Sequence, residues 1–234
     1  GVSDAVQAAR EAVDAVHRHP TNRKRWPTTA AEASVRAARA SAAIDGGDAE
    51  IPPDGEVREP VLAGALRVAE ALGGLLTTWE RSPLQVLARL HVLAAADLVD
   101  DPDRLGRPRG DEATSRRLEL LAELVTGGTK APGTVLAAVV HGELLALRAF
   151  GVGDGVVARA AARLTMIGTG LDPKGLCVPE VWCFRKLSAY REATAGFAGG
   201  TPEGLRQWLL FHCQAVEAGA REAVGIADAA GEAR

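Results

Sequence analysis

Five prolines, Pro60, Pro83, Pro132, Pro179 and Pro202, each open a stretch in which apolar residues recur with helical spacing. Proline lacks an N–H and holds φ near −65°, so it is tolerated in the first turn of a helix and disrupts one further in. Each of these prolines therefore marks a helix start. Between them apolar residues repeat at i, i+3, i+4 and i+7, and few segments alternate with period two through β-branched residues. The chain reads as all-α, a compact multi-helix bundle with short connections. Helices are expected over roughly 3–17, 29–44, 60–80, 83–98, 111–126, 132–149, 154–168, 179–197 and 201–229. Pro20 to Pro27 should break the chain between the first two, and Gly46-Gly47 should end the second. Gly47 to Pro60 is an acidic, proline-rich loop, and the terminal Ala-Gly-Glu-Ala-Arg234 should fray.

A chain of 234 residues can bury one sizeable core, and we read 1–234 as a single domain, with N-terminal helices in 1–46 and a core in 60–229. The sequence is rich in Ala, Arg, Gly and Leu, with Lys24, Lys130, Lys174 and Lys186 as its lysines. This composition points to a bacterial genome of high G+C content, so arginine abundance carries little functional information. A net charge of −3 and a pI near 6.0 provide no field for nucleic acid or membrane binding. The basic run Arg18 to Arg25 reads as a solvated inter-helix loop. No window reads as a membrane span and the first residues lack the apolar core of a signal peptide, so a cytoplasmic protein is expected. Cys177, Cys183 and Cys213 lack metal-ligand spacing and are expected to be reduced, buried thiols. Trp26, Trp79, Trp182, Trp208, Phe184, Phe197 and Phe211 are expected to fill the core.

The chemistry concentrates in Leu147-Arg-Ala-Phe-Gly-Val-Gly-Asp-Gly-Val-Val-Ala-Arg159. Gly151, Gly153 and Gly155 permit positive φ and close approach of a ligand, and the main-chain N–H groups of the helix that follows favour an anion. Asp154 is a natural side-chain cap for that helix. A dinucleotide fingerprint is disfavoured, because such a loop needs a preceding strand and a further glycine where Val156 stands. His91 and His141 each stand alone on apolar helix faces and read as hydrogen-bonded core residues.

This segment resembles the motif of the Fic family, His-Pro-Phe-x-Asp/Glu-Gly-Asn-Gly-Arg-x-x-Arg. Phe150, Gly153, Gly155 and Arg159 match it, whereas Arg148, Ala149, Val152, Asp154 and Val156 replace the His, Pro, acid, Asn and first Arg. The resemblance extends over most of the chain. Ala40-Ser-Ala-Ala-Ile-Asp-Gly46 is similar to the family's inhibitory Ser/Thr-x-x-x-Glu-Gly, through Ser41, Asp45 and Gly46. Leu90-His-Val-Leu, Gly106-Arg-Pro-Arg109, His141, Gly170-Leu-Asp-Pro173, Tyr190 and the helix from Trp208 recur in similar order. The family's docking hairpin between the Gly-x-x-Arg turn and the next helix looks missing here.

The resemblance implies a transferase in which the His is the base, the acid holds Mg²⁺, and Asn and Arg hold the nucleotide. The replacements remove those roles. A guanidinium has no neutral form near neutral pH, so Arg148 cannot be the base, and Val152 gives Mg²⁺ no oxygen. The residues that remain able to bind an anion are Arg148, Gly151, Gly153, Asp154, Gly155 and Arg159. Asp45 is the expected partner of Arg159, with Arg148 as the alternative partner, because the family's inhibitory Glu pairs with the second motif Arg. We therefore expect a pseudoenzyme serving as a binding or regulatory module, through a homodimer or a protein partner, with no cofactor. The alternative is altered chemistry on a nucleotide or phosphorylated small molecule, with or without Mg²⁺.

Overall fold

A computed structural model describes residues 1–233 and shows ten α-helices, with no strand among the described residues. The central element is α7 (Asp154–Gly168), in which every residue from Val156 to Met166 is buried. A helix buried on every side must be surrounded and must have its polar side chains satisfied within the fold, as Arg159 and Arg163 of α7 are. α6 (Gly133–Leu147) runs alongside it, and α3 (Pro60–Arg81), α4 (Pro83–Ala95) and α2 (Pro20–Ile44) pack onto its other sides. α10 (Pro202–Glu232) closes the opposite flank against α1 (Val2–Arg18), α8 (Pro179–Arg185) and α9 (Leu187–Ala198), while α5 (Glu112–Glu123) lies against α4 and α6.

Local chemistry explains the helix starts. Pro60, Pro83, Pro179 and Pro202 occupy first turns, and Pro132 is the residue just before α6. The Glu59 carboxylate accepts from the Val61 and Leu62 amides at 2.9 and 2.8 Å, capping α3. It also accepts from Asp48 N at 3.0 Å, which ties down the acidic loop. α2 ends in a Schellman turn: Gly47 N donates to Ala42 O, Gly46 N to Ala43 O, and Gly46 takes φ +86°.

Several expectations need correction. Pro20 to Pro27 is helical, since Pro20 opens α2 and the break forced by Pro27 is confined to a kink at Arg25 (φ −125°, ψ 24°). The basic run thus lies on helix, with Arg23, Lys24 and Arg25 exposed and Asn22 buried. The helix at 83 stops at Ala95, and α5 passes at Glu123 into a π turn, Leu124–Gly128, in which Gly127 has φ +112°. The expected helix over 179–197 is two helices parted at Lys186 (φ −112°, ψ 42°). α10 continues through Glu232 where fraying was expected; Arg234 lies outside the described residues.

Trp79 and Trp208 are fully buried, but Trp26 and Phe184 are about two-fifths exposed and do not fill the core. α3 is long and apolar enough to cross a membrane by length and composition alone, which the sequence reading overlooked. In this fold it is a bundle helix that places Leu62, Ala65, Val68, Leu72 and Trp79 in the core.

Candidate ligand groove at the glycine loop

α6 ends at Leu147, and Arg148 takes the left-handed conformation (φ 46°, ψ 51°). It is the one described non-glycine residue with positive φ. The expected helix through residue 149 stops here because the backbone must turn into the loop. Gly151 and Gly153 supply two more positive φ values, +85° and +73°, and α7 begins at Asp154.

The loop is clamped from below by His91, which is 1 % exposed. Its Nδ1 accepts from Gly106 N at 2.9 Å, so Nε2 carries the proton and donates to Val152 O at 3.0 Å. The ring stacks on Phe150 with centroids 4.2 Å apart. Burial lowers the His91 pKa, which keeps this tautomer neutral. Arg109 supports the other side, donating through N to Ala149 O and through Nη2 to Leu147 O, both at 2.8 Å. The stretch from Leu105 to Asp111 then leads into α5 without a strand.

Two expected roles change. Asp154 does not cap α7; Gly153 holds that position, and the carboxylate turns back so that Oδ1 accepts from Phe150 N at 3.0 Å. Its Oδ2 is buried and has no partner among the described residues. Burial raises its pKa above the ordinary aspartate range, against the Phe150 amide that favours the anion. Gly155 is not a positive-φ glycine but a helical one, needed for close approach. A Cβ there would stand 2.6 Å from Asp45 Oδ1 and 2.9 Å from Arg159 Nη2.

Asp45 occupies that space to reach Arg159. Arg159 Nη2 donates to Asp45 Oδ2 at 2.6 Å and to Ser41 O at 3.0 Å, and Nε donates to Ser41 Oγ at 2.8 Å. Nη1 donates to the Tyr190 hydroxyl at 3.2 Å, and that hydroxyl lies 2.8 Å from His141 Nε2. Arg159 is 3 % exposed. Burial works against its charge, but Tyr190 and Asp45 more than restore it, so it stays a cation. His141 is pushed well below its usual pKa by burial and then by His212 and Arg159, which leaves it neutral. It accepts from the tyrosine hydroxyl. Tyr190 is the one tyrosine in the chain, a signal the sequence offered, but its link to Arg159 was not legible there.

Above the loop lies an open groove of about 930 Å³, lined by Arg148, Gly151, Val152, Gly153, Asp154 and Gly155 on the loop side. Asp45, Gly46, Arg159, Tyr190 and Arg191 also line it. The structure thus brings together all the anion-site candidates with Asp45 and Gly46, whereas Ser41 is buried behind Arg159. Arg148 and Arg191 are exposed, and neither guanidinium has a hydrogen-bond or ion-pair partner among the described residues. His91 and His141 do not line the groove, which contains no histidine, lysine or cysteine. The residues fit a Mg²⁺-nucleotide poorly: Val152 offers no ligand, and Arg159 is already neutralised by Asp45.

No family model and no curated protein matches the sequence. Among solved structures, a Fic family protein from Desulfovibrio desulfuricans aligns with TM-score 0.70 at 20 % identity, over 96 % of this chain and 74 % of that one. Fic-1 from C. elegans aligns with TM-score 0.72 at 16 % identity, over 98 % and 73 %. The all-α fold is therefore Fic-like, as the sequence resemblance implied.

Proposed function

We propose that this Fic-like chain is a binding or regulatory module that does not transfer AMP, and that its groove is the binding element. The observation that carries the reading is the lining of the groove, which has no histidine, lysine or cysteine to take a proton from a target hydroxyl, and whose two carboxylates are engaged, Asp45 with Arg159 and Asp154 with the Phe150 amide. Arg148 stands at the end of α6 where the resembling motif has its base, and a guanidinium cannot serve as that base. The Asp45–Arg159 pair is then a structural latch, since no transfer activity is left for it to restrain. Incubation with ATP, GTP, CTP or UTP labelled at the α-phosphate, with Mg²⁺ and a mixture of protein acceptors, should label nothing. Labelled acceptor or self-labelled chain above a heat-denatured control would sink the reading.

A second reading, altered chemistry on a phosphorylated small molecule, has one specific observation in its favour. Asp154 lines the groove, its pKa is raised, and its Oδ2 has no partner among the described residues, as suits a carboxyl that holds a proton to give away. A turnover abolished in Asp154→Asn while ligand binding persists would favour this reading over the first.

A further inference from the structure

The groove's charge and its walls define a class of ligand, and this inference rests on the proposed binding role. Arg148, Arg159 and Arg191 face Asp45 and Asp154, which leaves one net positive charge when both carboxylates are ionised. Arg159 and Asp45 satisfy each other at 2.6 Å. The cations left for a ligand are Arg148, on the loop side, and Arg191, on α9. Both are exposed and lack a partner among the described residues, so neither must break an existing contact to bind.

The remaining surface is mainly aliphatic. Ile44, Val61, Leu98, Leu145 and Val156 line it together with Ala198. The hydroxyl of Thr194 is already bonded to Arg191 O at 3.0 Å. The groove has no side-chain amide to read a base edge, and its sole ring, Tyr190, is 3 % exposed and hydrogen-bonded to Arg159. A triphosphate laid along Gly151–Gly155 would bring several negative charges against Asp45 and Asp154. A single anionic group carried on an apolar body meets neither obstacle.

We propose that the groove binds a small amphiphile with one anionic head group, carboxylate or phosphate monoester, seated by Arg148 and Arg191 with its apolar body along the aliphatic wall. A volume of about 930 Å³ falls in the range of small-molecule pockets, roughly 300–1,000 Å³. Hydrogen bonds from a guanidinium to an anion contribute about 1.5–3 kcal/mol, so each arginine accounts for roughly a tenfold or greater change in affinity.

Isothermal titration of the full chain with decanoate, octyl phosphate, 1-octanol and Mg²⁺-ATP tests this. Decanoate or octyl phosphate should saturate one site, and the neutral alcohol should bind at least tenfold more weakly. Arg191→Ala and Arg148→Gly should each weaken the anion tenfold or more. Glycine is chosen at 148 because it relieves the left-handed backbone, so a loss of binding there is not a loss of folding; circular dichroism confirms the fold of both variants. Preference of the head group between the two anions identifies the source. The inference is overturned if neither anion saturates below millimolar concentration, if the alcohol binds equally well, or if both variants bind like the parent. Binding of Mg²⁺-ATP in place of the amphiphiles overturns the ligand class while leaving the non-transferring module intact. Only transfer of label would overturn that underlying reading.

Discussion

Arg148 carries the clearest cost at the level of a single residue. A left-handed conformation at a residue with a Cβ costs about 1–2 kcal/mol, and Arg148 adopts it at φ 46°. Arg148→Gly should therefore raise the free energy of unfolding by about 1 kcal/mol, read as a higher denaturant midpoint with an unchanged slope. Asp45 should behave in the opposite sense. Removing its carboxylate leaves the guanidinium of Arg159, 2 % exposed in its side chain, without a counter-charge. Breaking a buried pair costs about 3–5 kcal/mol, and the 30 % exposure of Asp45 reduces this, so Asp45→Ala should lose about 2 kcal/mol. An Asp45→Ala variant as stable as the parent would show that Ser41 and Tyr190 alone satisfy Arg159. The pairing of Asp45 with Arg159 was anticipated through the family resemblance. The turned-back Asp154 was not, because a side-chain cap and a loop-closing carboxylate have the same sequence signature.

Within a single helix, two glycines of α10 separate packing from propensity. A Cβ on Gly219 would lie 2.5 Å from Pro179 N and 2.7 Å from Val178 C, both backbone atoms that cannot yield. Val178 N donates to Gly219 O at 3.2 Å, so the two segments are held at that distance. Gly225, six residues on, has nothing within 4 Å of its virtual Cβ. Gly219→Ala should cost about 2–3 kcal/mol by overpacking, whereas Gly225→Ala should add about 0.5–1 kcal/mol through helix propensity. Thermal unfolding of the two variants should move in opposite directions. Helix existence was legible because proline at first turns and glycine after last turns act locally. Helix ends were less so: the break at Lys186 has no comparable local marker.

The whole molecule should lose stability in mild acid. Burial lowers the His212 pKa to about 4, against an ordinary histidine value of 6.5. Between those values the unfolded chain takes a proton that the folded chain refuses. Stability therefore falls as pH drops from about 6.5 towards 4, by up to about 3 kcal/mol for this one group. His91 and His141 are lowered in the same direction, chiefly by burial, and add to the loss. Urea midpoints should be lower at pH 5 than at pH 7, and His212→Asn should shrink that difference.

The sequence by itself determined the all-α class, most helix starts and the residues of the glycine loop, because proline, glycine and apolar periodicity act over a few neighbouring residues. It also marked Asp45 and Arg159 for each other, through a family resemblance spanning most of the chain. Only the tertiary structure decided that Gly155 leaves room for their contact, that Tyr190 links Arg159 to His141, and that Arg148 and Arg191 line the same open groove. Those relations join residues about 30 to 120 positions apart, and such distances are set by how helices pack, which no local pattern encodes.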